Sequence, residues 1–192
     1  MKCRQVLAAA AWVAAAAIPV MAVTLVPLPD PDIALASARI VVVTVTQVTE
    51  SVEDPDGDGV AQPWTTVTAR VESVVKGPGR AGDPLVFRQM GGKAGGRTLR
   101  ISGMPAFAAG DRALLCLGDR LMDPKYTPLV GWTQGRWIVR ADGNGQDLAR
   151  RDYGDSCFAA VENGKLVPSE RPETPEELLS VVVSRLTPQE VR

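Results

Sequence analysis

The sequence predicts a mainly β protein in which many short strands form a barrel or a sandwich, followed by one helix. Three observations support this fold class. Segments rich in β-branched residues recur along the chain, and turns that contain glycine, proline, asparagine or aspartate separate them. The clearest helical stripe, Leu178–Leu186, comes last. The chain has 192 residues, of which 45% are hydrophobic and 22% charged, so it can form one domain with a real core.

The first 22 residues have the pattern of a secretion signal. Lys2 and Arg4 give it a positive start, residues 6–20 form an alanine-rich apolar run, and Ala22 follows as a small residue suited to signal peptidase. We therefore expect cleavage after Ala22 and a secreted or periplasmic protein that keeps no membrane segment. The alternative is an uncleaved anchor, because no charged residue follows Arg4 until Asp30.

The remaining chain divides into three predicted segments. A proline-rich lead-in covers residues 23–32, a β domain with appended hairpins covers 33–167, and a C-terminal helix and tail cover 168–192. Pro31 predicts the start of a short helix over Asp32–Ala38. The predicted strands are Arg39–Thr49, Trp64–Lys76, Pro84–Gln89, Arg97–Ser102, Ala113–Leu117, Thr127–Trp132, Arg136–Ala141, Phe158–Val161 and Lys165–Val167.

Local patterns justify these elements. Residues Ile40–Val43 are all apolar, which predicts a strand covered on both sides or curled in a barrel. Residues Trp64–Lys76 alternate between apolar and polar, as a half-buried strand does. Asn163-Gly164 is a strong hairpin signal, and Thr174–Glu177 reads as a capping box that starts the last helix.

The composition excludes several chemistries. The chain contains no histidine, which rules out serine–histidine–aspartate triads, cysteine–histidine dyads and zinc or haem sites that use histidine. No spacing places a general base beside a serine or tyrosine, so we expect a protein that is not an enzyme. The net charge of −1 gives no electrostatic case for nucleic acid as a partner.

An acidic loop between the first two long strands is the one candidate metal site. Asp54, Asp56 and Asp58 place three carboxylates at alternate positions, which suits calcium and resembles the start of an EF-hand or dockerin loop. The loop departs from that pattern at its twelfth position, which is Thr65 and not a bidentate glutamate. The alternative is a solvated hairpin tip, and we expect no other cofactor.

Cys116 and Cys157 are the two cysteines left after signal cleavage, since Cys3 would leave with the signal. An even pair in an exported chain predicts a disulfide, which would contribute on the order of 3–4 kcal/mol. The alternative is two free thiols.

Trp132 and Trp137 flank a predicted turn, and Arg136 lies between them. Exposed, these side chains would form a platform for a partner protein or a sugar. Buried, the tryptophans would be core residues, which the apolar neighbours on their faces favour for at least one of them.

Three segments together resemble the netrin-like module, the OB-type barrel also used by tissue inhibitors of metalloproteinases. They are ALASARIVVVTVTQV at Ala34–Val48, WTTVTARVESVVKG at Trp64–Gly77, and AGDRALLCL at Ala109–Leu117. The resemblance covers about Ile33–Leu117 and implies an OB-like five-stranded barrel, extended here by C-terminal hairpins and a helix. It also implies a relation to secreted bacterial proteins, some of which accompany matrixin-type proteases.

The resemblance implies a binding function with one clear departure. The inhibitors chelate the protease zinc through a mature N-terminal cysteine, whereas the mature start expected here is Val23. We therefore expect an exported, non-enzymatic module with a protein partner, for which a secreted metalloprotease is one candidate, but without that chelating mechanism. The alternatives are an envelope module that binds carbohydrate or adheres through calcium and, more weakly, a secreted hydrolase.

Overall fold

The structure is a computed structural model that describes residues 24–54, 59–122 and 125–187. The chain is mainly β, as predicted. Two α-helices, α1 (Asp30–Ala36) and α2 (Leu179–Leu186), and a short 3₁₀ turn, Trp132–Gly135, accompany the strands. The strands are β1 (Thr24–Leu25), β2 (Arg39–Glu53), β3 (Gln62–Lys76), β4 (Pro84–Met90), β5 (Gly92–Ala94), β6 (Arg97–Leu99), β7 (Arg112–Leu117), β8 (Arg136–Ala141), β9 (Asp147–Arg151), β10 (Cys157–Glu162), β11 (Lys165–Ser169) and β12 (Glu177–Leu178).

A seven-stranded sheet organises the molecule. Its strand order is β12-β9-β8-β7-β2-β3-β4, and every neighbouring pair is antiparallel. The other strands form a second sheet, β1-β10-β11, and the small β5–β6 hairpin. Because β4 and β12 are both edge strands, the large sheet is open over the residues that the structure describes.

The first half of β2 and nearly all of β7 are buried on both faces, which confirms the prediction from the apolar run at Ile40–Val43. Along β7, Leu115 points to one cluster of buried side chains, whereas Leu114 and Cys116 point to the other. We call these sides of the sheet the loop face and the helix face. The loop-face core consists of Val41, Val43, Val45, Val67, Ala69, Val71, Leu85, Phe87, Ala113, Leu115, Leu117 and Leu129.

Helices α1 and α2 cover the helix face. Ile33 of α1 and Val182 and Leu186 of α2 are fully buried there. Ion pairs then tie the elements together: Asp30 accepts hydrogen bonds from Arg151 of β9 at 2.7 Å and from Arg185 of α2 at 2.9 Å. Both helices are short, and none within the described residues is long and apolar enough to span a membrane.

A β-bulge in β2 changes which side chains face the core. Val45 is opposite Ala69 and Gln47 is opposite Thr68, so Thr46 is an extra residue in the pairing with β3. Before the bulge Val43 and Val45 lie on the loop face, and after it Val48 packs against the same core. Without the bulge, strict alternation would have placed Gln47 there.

Three predicted elements differ from the structure. Residues 127–132 are not a strand; they contribute one bridge, from Leu129 to Leu117, before the 3₁₀ turn. Strand β8 therefore pairs with β7 and with the unpredicted β9, whose polar sequence gave no strand pattern. Strand β6 pairs with β5 and not with β4.

The predicted capping box is also wrong, because α2 begins at Leu179 and its N-cap residue makes no side-chain hydrogen bond. The Glu176 and Glu177 carboxylates bind Arg140 and Arg185 instead. The Asn163-Gly164 hairpin is confirmed, since both residues have positive φ and join β10 to β11.

Candidate functional site

A rung of polar side chains crosses the large sheet just beyond the loop-face core. Glu50 of β2 is opposite Thr65 of β3, and Thr65 is opposite Gln89 of β4. The preceding rung, Val48–Val67–Phe87, belongs to the core or packs against it. The loop face therefore changes from apolar to polar within one rung of the sheet.

This polar rung lies in a cleft of about 520 Å³. The β5–β6 hairpin and residues 100–107 form its sides, and Asp155 closes one end. Its apolar lining consists of Val48, Met90, Leu99, Ile101, Met104, Pro105, Ala106 and Phe107. The cleft thus combines an apolar lining with a small set of polar groups, as ligand sites in proteins commonly do.

Gln89 is the most unusual of these polar groups. The residue is only 4% exposed, and its Nε2 donates a 2.6 Å hydrogen bond to the carbonyl oxygen of Pro105. Its Oε1 is buried without a hydrogen-bond partner in the described part of the chain. An unpaired buried carbonyl costs about 1–3 kcal/mol, so a group that donates to this oxygen would recover stability.

Two glycines allow the β5–β6 hairpin to turn back towards the rung. Gly91 and Gly92 have φ values of +110° and +129°, which residues with a side chain rarely adopt. Thr65 Oγ1 donates to the Gly91 carbonyl oxygen at 2.7 Å and holds the turn. A Cβ at Gly92 would lie 2.8 Å from both Glu50 Oε1 and Thr65 Oγ1, so this close approach requires glycine.

Arg136 supports the segment of residues 105–107 that forms one side of the cleft. Its guanidinium donates to the Ala106 carbonyl oxygen at 2.7 Å, lies 4.6 Å from the Phe107 ring centroid and pairs with Asp111 at 3.6 Å. Burial lowers the pKa of Arg136. Since Gln89 binds Pro105 on the same segment, residues 105–107 are held from both sides.

Asp155 is held at the end of the cleft. Its carboxylate accepts a 3.0 Å hydrogen bond from the Gly103 amide, which lowers the pKa of Asp155, with a smaller contribution from Arg100. Arg100 pairs with it at 3.4 Å but is largely exposed, so this pair is weak.

The three residues predicted to bind a partner do not form one exposed platform. Trp137 is 2% exposed and lies in the helix-face core, where Arg151 stacks 4.0 Å from its ring centroid. Arg136 is 7% exposed and supports the cleft. Only Trp132 of the three is partly exposed, and it stacks with Tyr126 at 5.6 Å. Burial of the other two removes them from any binding surface, because these adjacent residues of β8 point to opposite faces of the sheet and both faces are covered there.

The predicted calcium loop is described only in part. Asp56 and Asp58 lie outside the described residues. Asp54 Oδ2 accepts a 2.9 Å hydrogen bond from the Gly59 amide, which closes the loop between β2 and β3. No group of three or more potential metal ligands occurs within the described ranges.

The predicted disulfide is not formed. Cys116 and Cys157 are both free; the first is buried in β7 and the second is exposed on β10 of the other sheet. The Cys116 side chain faces the helix-face core, and burial raises the pKa of its thiol to about 12. Sequence parity alone could not show that the two cysteines belong to different sheets.

The polar rung was missed by the sequence analysis, although one signal of it was present. Gln89 continues the alternation of Leu85 and Phe87, so it is a polar residue at a core position of β4. Glu50 gave no such signal because the Thr46 bulge, which turns it to the loop face, is not visible in the sequence.

Comparison with known proteins gives no relative for this arrangement. No family model matches the chain, and no curated protein or solved structure matches it significantly.

Proposed function

We propose that this protein is an exported, non-enzymatic binding module whose cleft takes an extended segment of a protein partner. The observation that carries the proposal is the buried Gln89 Oε1, which has no hydrogen-bond donor within the described ranges. Gln89 lines a cleft that also has apolar side chains, and extended polypeptide supplies both amide donors and side chains for such a lining.

The segments that form the sides of the cleft are held in place, which supports a stable binding site. Gln89 and Arg136 hold residues 105–107 from two sides, and the glycine turn holds the β5–β6 hairpin over the sheet. A site held in this way loses little conformational entropy when it binds, which favours affinity.

The finer parts of the proposal rest on the sequence. The resemblance to the netrin-like module supports an OB-type relationship and makes a secreted metalloprotease a candidate partner. Export rests on the signal pattern of residues 1–22, which lie outside the described residues. N-terminal sequencing of the protein recovered from the producing cells tests export, and an N-terminus at Val23 is the expected result.

Site-specific photo-cross-linking tests the partner and the cleft together. A photoreactive amino acid replaces Thr98, an exposed residue that lines the cleft, or Lys165, an exposed residue of β11 as the matched control. We expect a protein adduct from position 98 whose cross-linked peptide can be mapped, and little from position 165. The substitution Gln89→Leu should reduce the adduct several-fold. Equal labelling at both positions, or no adduct at position 98, would contradict the proposal.

One observation favours carbohydrate as a second candidate ligand. The Tyr126 and Trp132 rings lie 5.6 Å apart and are partly exposed, which suits stacking against a sugar. Trp132 also has a φ of +62°, a conformation that non-glycine residues adopt mainly at special sites. Glycan-array binding that is lost in Trp132→Ala and kept in Gln89→Leu would favour this alternative.

A further inference from the structure

We infer that the cleft takes a primary ammonium group, carried by a lysine side chain of the protein partner. This inference rests on the proposed function and names the chemical group that the cleft recognises. It follows from the hydrogen-bonding capacity that the polar rung has left after its own contacts are made.

The three side chains of the rung offer mostly acceptors. Thr65 has one hydroxyl hydrogen, and the Gly91 carbonyl oxygen takes it. Gln89 donates one of its two Nε2 hydrogens to Pro105, and its Oε1 is an acceptor without a partner in the described part of the chain. Glu50 is a carboxylate with no ion pair in the part of the chain described. A lysine ammonium is complementary to this set, because it has three donors and no acceptor.

The acceptors are also close together. Thr65 is the direct cross-strand neighbour of both Glu50 and Gln89, a relation that places its Cβ atom about 4.5–5.5 Å from each of theirs. Glu50 Oε1 and Thr65 Oγ1 each lie 2.8 Å from the position that a Cβ on Gly92 would occupy, so these two oxygens face the same side of the turn. Gln89 Oε1 is shielded from solvent, so a donor reaches it only when the amide turns or the hairpin shifts.

The lining fits the rest of a lysine side chain. Val48, Met90, Met104 and Phe107 provide apolar contact for four methylene groups, while the ammonium reaches the polar rung. The compact charge of an ammonium suits acceptors that come from three separate strands, whereas a guanidinium prefers a planar, two-point partner.

The other charged groups of the cleft help to decide whether the ligand is a cation or an anion. Asp155 is engaged by Gly103 and Arg100, so Glu50 is the carboxylate left for a ligand. Lys93 lies at the rim, exposed and without an ion pair over the described residues. It would weaken the binding of a cation and strengthen the binding of an anion, so its removal separates the two cases.

An NMR titration of the full chain with small probes tests the inference. The probes are Nα-acetyl-lysine N-methylamide, its norleucine analogue, which lacks the ammonium, and glycinamide, which carries only an α-ammonium. We expect the lysine probe to shift the amide signals of Thr65, Gly91 and Gly92 with saturation. The norleucine probe and glycinamide should each bind at least about tenfold more weakly.

Charge variants locate the site. Glu50→Gln should weaken the lysine probe about tenfold, because a charge-assisted hydrogen bond becomes a neutral one. The matched control Glu162→Gln removes an exposed carboxylate of β10, outside the cleft, and should leave binding unchanged. Lys93→Ala should leave the affinity unchanged or increase it. Amide spectra of each variant report whether the fold is kept.

Several results would overturn the inference. Equal binding of the lysine and norleucine probes would show that the ammonium is not recognised, while the proposed peptide site would stand. Stronger binding of glycinamide would assign a chain terminus instead of a lysine side chain. A loss of binding in Lys93→Ala, no effect of Glu50→Gln, or no shift with any probe would each reject a cation site. Cross-linking at position 98 judges the proposed function separately.

Discussion

The two faces of the seven-stranded sheet are closed by different means. Helices α1 and α2 cover the helix face, and the ion pairs of Asp30 join both helices to β9. The loop face is covered instead by irregular segments and the β5–β6 hairpin, and it ends in the polar rung. Helices satisfy their own backbone groups and bury a continuous apolar stripe. Loops do not cover a sheet with a continuous apolar stripe, so a binding site can form between them.

Each face of the sheet has an opening. The volumes of the two openings do not show which one is the functional site. A groove of about 730 Å³ runs beside α2 on the helix face, larger than the 520 Å³ cleft on the loop face. The one charged side chain that lines the groove, Asp147, is paired with Arg112 at 2.7 Å. The cleft is lined by Glu50 and by Gln89, whose buried Oε1 has no partner in the described part of the chain. Unpaired polar groups, and not volume, distinguish the functional candidate.

The largest expected effect is on the helix-face core. Leu186→Ala removes a side chain of α2 that is 0% exposed, so we expect it to lower the free energy of unfolding by about 2–5 kcal/mol. Met104→Ala, in the partly exposed lining of the cleft, should cost less than half as much. Urea denaturation of both variants measures the difference, and equal losses would contradict the contrast between the two faces.

The second prediction concerns the ion pairs that close the helix face. Asp30→Asn removes a charge that Arg151 and Arg185 share, and Arg151 is largely buried. We expect a loss of about 1–3 kcal/mol in the free energy of unfolding, since a buried guanidinium loses its counter-charge. Asp32→Asn is the control, because Asp32 is exposed in the same helix turn. If the two variants were equally stable, helix electrostatics and not the shared ion pair would explain the effect.

A pH dependence is expected at the border of the helix face. Arg112 donates to Glu72 at 2.6 Å and to Asp147 at 2.7 Å, and these hydrogen bonds lower the pKa of both carboxyls. A lowered folded-state pKa gives stability that is present at neutral pH and lost as the pH falls below about 4. The groups are about one third exposed, so the contribution is at most about 1 kcal/mol.

Thermal unfolding of wild type and Arg112→Gln between pH 7 and pH 3 measures this contribution. The stability difference between the two proteins should be largest at neutral pH and shrink in acid. A difference that stays constant over the whole range would contradict the assignment.

The smallest expected effect is the difference in thiol reactivity between the two cysteines. A thiol reagent added to the native protein at pH 8 should modify Cys157 on the exposed strand, whereas Cys116 should react only after unfolding. Its burial and raised pKa both keep the reactive thiolate scarce. Peptide mapping by mass spectrometry reads both sites in one experiment. Native labelling of Cys116 would show that the helix face opens readily, and a Cys116–Cys157 disulfide would contradict the structure.

How much of the fold could be predicted depended on whether the signal was local. The positions of β2 and β3 followed from runs of β-branched residues, that of β7 from the turn at Ala109–Asp111, and the β10–β11 hairpin from Asn163-Gly164. The start of α2 did not, because Glu177 binds Arg185 through a tertiary contact that replaces the predicted cap. Strand β9 gave no pattern, since it is mostly polar and is held by pairing with β8 and β12.

The candidate site likewise divides into residues that a local pattern could reveal and residues that only tertiary contacts reveal. Gln89 could have been found as a polar residue at an apolar position of β4. The roles of Arg136 and Trp137 could not, because a turn flanked by aromatic residues has the same sequence whether it is exposed or buried. The contact of Arg136 with Ala106 joins segments 30 residues apart in the chain.

The sequence by itself determined a mainly β chain, a strand covered on both sides at Ile40–Val43, and a chemistry without histidine. These properties depend on composition and on spacing along a single strand, so they can be read locally. Only the tertiary structure decided that Glu50, Thr65 and Gln89 form one rung in a cleft. That rung depends on the Thr46 bulge and on the pairing of three strands, and such pairing is set by contacts between distant segments.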